Sequence, residues 1–184
     1  MKNLKAAFVL AILVAATIAA QAQTPVFVPG NASGFFGNPA DEMNPLVSAI
    51  TVTGSGTITV TYVSGVVYDA GCGSNGCGPN GAKWNTGSAQ SPLMEAKGVS
   101  GGWEDNLDAL IGVFVSASRV NRSGFNPVDG TKDVTKVGIM PNGLFFIGTG
   151  INLPVTEAGT LYLGINDYSV GDNSGGFNVT VSFQ

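Results

Sequence analysis

Side chains that can supply oxygen ligands are concentrated in one short segment near the C-terminus. Asp167, Asp172 and Asn173 lie close together there, and Asn166 directly precedes them. Two carboxylates on one turn repel each other unless a positive charge lies between them, and no Lys or Arg lies within twenty residues of the segment. Ca²⁺ prefers carboxylate, amide and backbone carbonyl oxygens, and the segment offers all three. It therefore indicates a calcium site, and the alternative is a polar hairpin turn in which Asn, Asp and Gly serve the backbone alone.

The chain contains two cysteines, Cys72 and Cys77, separated by the sequence Gly-Ser-Asn-Gly. Two cysteines this close together in an exported protein favour a disulfide, and the intervening glycines supply the backbone conformations that a small ring needs. Two cysteines alone cannot complete a structural zinc site, which takes four ligands. We predict a disulfide that shapes the loop; free thiols and a metal site are the alternatives.

The charge and composition exclude several classes of function. The chain has 8 Lys and Arg against 12 Asp and Glu, a formal net charge of −4, and no His. Nucleic-acid binding and docking to anionic lipid both require clustered basic residues, so neither partner is expected. Without His there is no Ser-His-Asp relay, no Cys-His nucleophile and no His-ligated zinc. We therefore expect a protein that is not an enzyme.

The elements that would position these residues are β-strands. Apolar residues alternate with hydroxyl residues over 49–53 and 57–62, with Gly54, Ser55 and Gly56 between the two runs, which predicts a hairpin of a half-buried sheet. Leu110–Val115 is a denser run that favours a strand buried on both faces. Further strands are expected near 26–28, 134–139, 144–147, 160–165 and 176–183. Short strands separated by turn residues indicate an all-β jelly-roll sandwich.

The first 22 residues have the features of a cleaved secretory signal peptide. Lys2 and Lys5 precede the uncharged run Ala6–Ala20, and Ala20-Gln21-Ala22 has the small-x-small pattern that signal peptidase recognises. The run is shorter than the about 20 apolar residues of a membrane-spanning helix, and no later segment is apolar enough to span a bilayer. We expect residues 23–184 to form one β-sandwich domain that is secreted, to the periplasm or beyond, with no membrane insertion after cleavage.

Several segments resemble the PA-I galactophilic lectin family, which consists of calcium-dependent bacterial lectins with a galactose-binding-like jelly-roll fold. The Asn-Asp…Asn-Ser-Gly-x-Phe motif at the C-terminal segment is the most specific part of the resemblance. The remaining likeness is looser and covers roughly residues 48–183. The segments that carry the resemblance are Tyr68, Gly78–Gly81, Ala109–Gly112, Gly143–Ile147, Gly159–Asp167 and Asp172–Val179.

The resemblance implies a set of calcium ligands. Asp167 would provide its carboxylate, Tyr68 and Ser169 their backbone carbonyls, and Asp172 and Asn173 would replace an Asn-Asn pair of the family. The turn between Asp167 and Asp172 is two residues shorter than in the lectins. Asp172 adds a negative charge that should strengthen the attraction for a divalent cation.

The resemblance also implies that two sugar hydroxyls complete the calcium shell. In the family a His and a Gln select the sugar, and this chain has no His. Trp84 and Trp103 could stack on a sugar ring, with Gln90 and Glu104 as hydroxyl partners. The alternative for both Trp side chains is that they anchor a Gly-rich loop to the body of the domain. The sugar itself is not specified, and a homo-oligomer is compatible with the composition.

Two other functions compete with a carbohydrate-binding domain. Glu104, Asp105 and Asp108 could supply the two carboxylates of a glycoside hydrolase, but their spacing favours a solvated turn before the strand at Leu110. The stronger alternative is a calcium-stabilised structural subunit of an extracellular surface, matrix or filament that binds no sugar. Low charge and many Gly and Thr residues suit both a lectin and such a subunit.

Overall fold

The structure is a computed structural model, and it describes residues 22–32, 46–82, 107–118, 144–167 and 170–184. The signal peptide expected over residues 1–22 falls almost wholly outside these ranges, as does the strand expected near residues 134–139. None of the helices in the described ranges is long and apolar enough to cross a membrane. The described residues form eight strands and one short 3-10 turn, Gly73–Asn75: β1 Thr24–Pro29, β2 Val47–Val52, β3 Gly56–Tyr68, β4 Leu110–Ser116, β5 Leu144–Phe146, β6 Gly150–Val155, β7 Gly159–Ile165 and β8 Ser174–Phe183.

The strands form two four-stranded antiparallel sheets. One sheet has the order β1-β8-β3-β6 and the other β2-β7-β4-β5. Consecutive strands alternate between the two sheets over most of the chain, which is the connectivity of an eight-stranded jelly roll. The all-β jelly-roll sandwich expected from the sequence is confirmed.

The core lies between the sheets because both contribute the apolar half of their alternating patterns. Ile58 and Phe177 from the first sheet and Leu161 and Leu163 from the second are fully buried in one cluster. The ring of Phe177 packs edge-on against Tyr62, with the ring centroids 6.1 Å apart. β4 is buried along nearly its whole length, as its dense apolar sequence predicts.

The hairpin predicted from residues 49–62 is wrong. β2 and β3 are consecutive, but β2 pairs with β7 and β3 pairs with β6 and β8. Residues 53–55 therefore cross from one sheet to the other. The alternation requires only that each strand bury one face, and it does not specify the pairing partner. β6 was not predicted, because Pro154 interrupts its alternating pattern. A Pro is tolerated there because β6 is an edge strand.

The jelly-roll order brings the ends of five strands to one edge of the sandwich. The register pairs Pro29 of β1 with Gly176 and Tyr68 of β3 with Ser174, so both strands end where β8 begins. Leu110 pairs with Ile165, so β4 begins where β7 ends. This edge consequently collects polar residues from both sheets, and the candidate site lies there.

Phe177→Ala should destabilise the protein by about 3–5 kcal/mol, because it leaves a cavity between the sheets. Urea unfolding measures this change. Phe27→Ala is the matched control, since Phe27 lies on the neighbouring strand and is 53% exposed; it should cost less than about 1 kcal/mol. Equal losses in the two variants would contradict the burial of Phe177 between the sheets.

Candidate metal centre

The side-chain amide of Asn173 is the centre of a polar cluster at this edge. Its Nδ2 donates to the backbone oxygen of Gly30 at 3.1 Å, to Asp108 Oδ1 at 3.0 Å and to Asp167 Oδ2 at 3.0 Å. An amide nitrogen carries two hydrogens, so three acceptors exceed its capacity. Two of these acceptors belong to acidic groups, and the described ranges contain no Lys or Arg to balance them.

The other end of the same amide has no partner. Asn173 Oδ1 is buried and accepts no hydrogen bond from any described residue. An unsatisfied buried acceptor costs about 1–3 kcal/mol. Rotating the amide by half a turn would direct Oδ1 at the same three oxygens. The four oxygens would then repel one another unless a cation lay among them. The donor set therefore fits a cation better than it fits the amide hydrogens alone.

Asp108 combines two unfavourable features. Its side chain is fully buried, and its φ of 59° lies in the left-handed region that non-glycine residues rarely adopt. Its N–H donates to the oxygen of Asn166 at 3.1 Å, and the N–H of Asn166 donates to Ala109 at 2.9 Å. Asp108 lies in a turn before β4, as predicted, but the prediction that this residue is solvated is wrong: hydrogen bonds to the end of β7 hold its backbone and the carboxyl is buried. Backbone strain and a buried ionisable side chain at one residue are typical of a functional site.

Burial, then the charges of Asp167 and Asp69 and a hydrogen bond with the Asp69 carboxyl, raise the pKa of Asp108, and the hydrogen bond from Asn173 lowers it. Together these effects place the pKa of Asp108 at about 9. The metal-free protein therefore carries a proton on Asp108 at neutral pH. The Asp108 carboxyl therefore lies near two other carboxyl groups, those of Asp69 and Asp167, and protonation of Asp108 reduces the repulsion among the three.

The predicted disulfide between Cys72 and Cys77 is confirmed, and it borders this cluster. Cys72 Sγ lies 3.1 Å from Asp108 Oδ2. A bridged sulfur carries no hydrogen to donate, so this is a close packing contact between Sγ and the carboxyl group. Both sulfurs and the Asp108 carboxyl lie within 4.8 Å of one another, but the bridge leaves no thiolate to bind a metal.

The glycines of the C-terminal motif allow this packing. Gly175 has a φ of 77°, and a Cβ there would collide with the backbone oxygen of Val66. The oxygen of Gly175 accepts the N–H of Gly30 at 3.0 Å, which fixes Gly30 close to Asn173. The Asn-Ser-Gly-Gly sequence therefore joins β1, β3 and β8 where the cluster lies.

The structure brings together part of the ligand set expected from the sequence. Asp167 is buried, and like Asp108 it accepts a hydrogen bond from the side-chain amide of Asn173. Tyr68 ends β3 opposite Ser174 and is 45% exposed. Asp172 is exposed on the turn before β8. Ser169 and the four candidate sugar contacts lie outside the described residues: Trp84, Gln90, Trp103 and Glu104.

Asp108, Asp69 and the backbone oxygen of Gly30 were not expected in the site. Two sequence signals could have identified the carboxyls: Asp69 directly follows a strand, and Asp108 precedes the most apolar strand of the chain by two residues. The role of Gly30 could not be predicted from the sequence. It contributes a backbone oxygen, whose position depends on the register of the sheet rather than on the residue type.

Comparison with known proteins gives similarity to solved structures only. No protein-family model matches the chain, and no curated protein matches it. A solved structure described as "EclA N-terminal domain; PllA-like lectin" is similar with a TM-score of 0.45 and 14% sequence identity, over 87% of this chain and 95% of that chain. Function must therefore be argued from the site itself.

The metal-free protein should lose stability as the pH rises from 6 to 8. The folded pKa of Asp108, about 9, lies above its unfolded value of 3.8, so in this range only the folded state binds the proton. The stabilisation is complete below pH 3.8 and is lost as the pH rises to about 9. The free energy of unfolding should fall by up to about 1.4 kcal/mol per pH unit.

Urea unfolding in EDTA measures this slope, and the absence of His from the chain keeps the range free of histidine titration. Asp108→Asn is the control, because Asn tolerates a positive φ and does not titrate. The variant should show a flat profile from pH 6 to 8. A wild type whose stability is flat or rises with pH would contradict the assignment of the proton to Asp108.

Proposed function

We propose that this chain binds one Ca²⁺ at the Asn173 cluster and uses the site to bind carbohydrate. The observation that carries the proposal is the environment of the Asn173 side chain. Its amide nitrogen faces three oxygens, and its own oxygen is buried without a partner among the described residues. A hard divalent cation would satisfy all four oxygens and neutralise the carboxylates.

The ligands on this chain would come from both sheets. Asp108 and Asp167 would provide carboxylate oxygens, Asn173 its amide oxygen and Gly30 its backbone oxygen. Asp69 lies close enough to Asp108 to share a hydrogen bond with it and is a further candidate. These are the ligand types that Ca²⁺ prefers, whereas the bridged sulfurs offer nothing to a softer metal.

The resemblance to the lectin family adds three ligands to this proposal. Tyr68 and Ser169 would contribute backbone oxygens and Asp172 a carboxylate. The positions of Tyr68 and Asp172 are compatible with this role, since each is next in sequence to a member of the cluster, Asp69 and Asn173.

The proposal of sugar binding is supported by two exposed residues at the edge of the cluster, Tyr68 and Asp172, which together form its exposed rim. The ring of Tyr68 is partly exposed and lies against Gly175, where it could stack on the apolar face of a sugar. The exposed carboxylate of Asp172 could accept hydroxyl hydrogens. Bound Ca²⁺ would supply a Lewis-acidic position for sugar hydroxyls. Trp84, Trp103, Gln90 and Glu104 remain proposed contacts.

A calcium-stabilised structural subunit of an extracellular surface is the second candidate function. The observation that favours it is burial: Asp108 is fully buried and Asp167 is 6% exposed. A cation held by these groups would join the ends of β1, β4, β7 and β8 without needing a sugar. The two candidates share the calcium site and differ only in what the exposed rim does.

Calcium at 10 mM should raise the melting temperature of the wild type by about 5–10 °C. This shift corresponds to about 2.7 kcal/mol for a Kd of about 10⁻⁴ M, the range of extracellular calcium modules. Asp167→Asn should abolish the shift because it removes a carboxylate ligand. Glu157→Gln should keep it, since Glu157 is an exposed acid bonded to Ser118 and outside the cluster. Wild-type melting curves that coincide in calcium and EDTA would contradict the calcium site.

A glycan array should show binding in calcium that is lost in EDTA. Tyr68→Ala should weaken this binding about tenfold through loss of ring stacking, while its calcium-dependent melting shift persists. Phe27→Ala, which truncates another exposed aromatic ring on the same sheet, should bind as the wild type does. A protein that binds calcium and no glycan would instead support the structural subunit.

A further inference from the structure

The loop that follows β3, residues 69–77, is held in shape by hydrogen bonds and by the disulfide. Asp69 Oδ2 accepts the N–H of Gly71 at 2.9 Å, and the oxygen of Asp69 accepts the N–H of Cys72 at 3.1 Å. Cys77 exchanges two backbone hydrogen bonds with Val67, at 2.7 and 3.0 Å. The Cys72–Cys77 bridge closes this loop covalently between those two anchors.

The bridge also forms one wall of the Asp108 site. Asp108 Oδ1 accepts from Asn173, and Oδ2 lies 3.1 Å from Cys72 Sγ. The two contacts lie on different oxygens, so together they fix the plane of the carboxyl group. Cys77 is buried and Cys72 half-buried, which leaves Cys72 little freedom to withdraw.

We propose that the Cys72–Cys77 disulfide is a positioning element for the cation site, so that calcium affinity depends on the redox state of the bridge. This inference rests on the proposed function, because it assumes that Asp108 is a ligand. The closed bridge holds Asp108 and the Asp69 turn in the arrangement that the cation requires.

The redox step is a two-electron exchange with a dithiol. The dithiol attacks one sulfur, the S–S bond breaks, and a second attack closes the dithiol into a cyclic disulfide. The protein gains two electrons and two protons and becomes two thiols. The sulfurs, no longer bonded, must separate to van der Waals distance, and the wall beside Asp108 Oδ2 changes shape and acquires an S–H donor. The bridge then no longer fixes the position of Cys72 Sγ beside Oδ2, so the orientation of the Asp108 carboxyl is no longer fixed.

Calorimetric titration with Ca²⁺ tests the inference on the oxidised protein and on protein reduced with dithiothreitol. The oxidised wild type should bind about tenfold more tightly, the usual effect of removing a group that orients a metal ligand. Cys72→Ser/Cys77→Ser should match the reduced wild type without any reductant. Melting curves in EDTA check that both forms are folded over the range of the titration.

The Asp108→Gly variant, which tolerates the positive φ and removes both side-chain oxygens, distinguishes positioning from general loosening of the loop. If the bridge acts through Asp108, reduction should change the residual affinity of this variant by less than twofold. An equal tenfold loss in wild type and variant, or unchanged affinity in the reduced wild type, would overturn the inference while leaving the calcium site intact. Absence of calcium binding in the oxidised wild type would overturn both this inference and the proposed function.

Discussion

The organisation of this protein's polar edge depends on one crowded interaction, in which the amide of Asn173 lies between the carboxyl groups of Asp108 and Asp167. Two hydrogens face three oxygens, and the amide oxygen faces nothing it can accept from among the described residues. The arrangement is tolerable without a metal because burial and the neighbouring carboxylates keep Asp108 protonated, at a residue whose positive φ already strains the backbone. A divalent cation would give the amide oxygen a partner and offset the repulsion between the carboxylates at one position.

The jelly roll is well suited to hold such a cluster. Strand interiors supply the apolar residues of the core and their outward faces meet solvent, so buried polar groups gather where strands begin and end. Because the strand order alternates between sheets, one edge of the sandwich receives ends from both. Ligands attached to strand ends are held more rigidly than ligands on long loops, and the disulfide-closed turn after β3 gives Asp69 comparable support.

Much of the fold is predictable from the sequence, and the pairing of the strands is not. The alternating pattern predicted β3, β7 and β8, and the dense apolar run predicted β4, because buried positions in a strand are occupied by apolar side chains. The partners of β2 and β3 depend on register across the whole sandwich, which local pattern does not encode. For the same reason Asp167 and Asn173 were predictable as neighbours in one turn, whereas Asp108 contacts Asn173 across a sequence separation of 65 residues.

An anomalous-difference map from crystals grown with calcium measures cation binding at Asn173 directly. A calcium site there predicts a single strong peak at about 2.3–2.6 Å from oxygens of Asp108, Asp167 and Asn173, with the amide oxygen of Asn173 turned toward the peak. A map without a peak there, with Asn173 Nδ2 still donating to both carboxyls in saturating calcium, would contradict it.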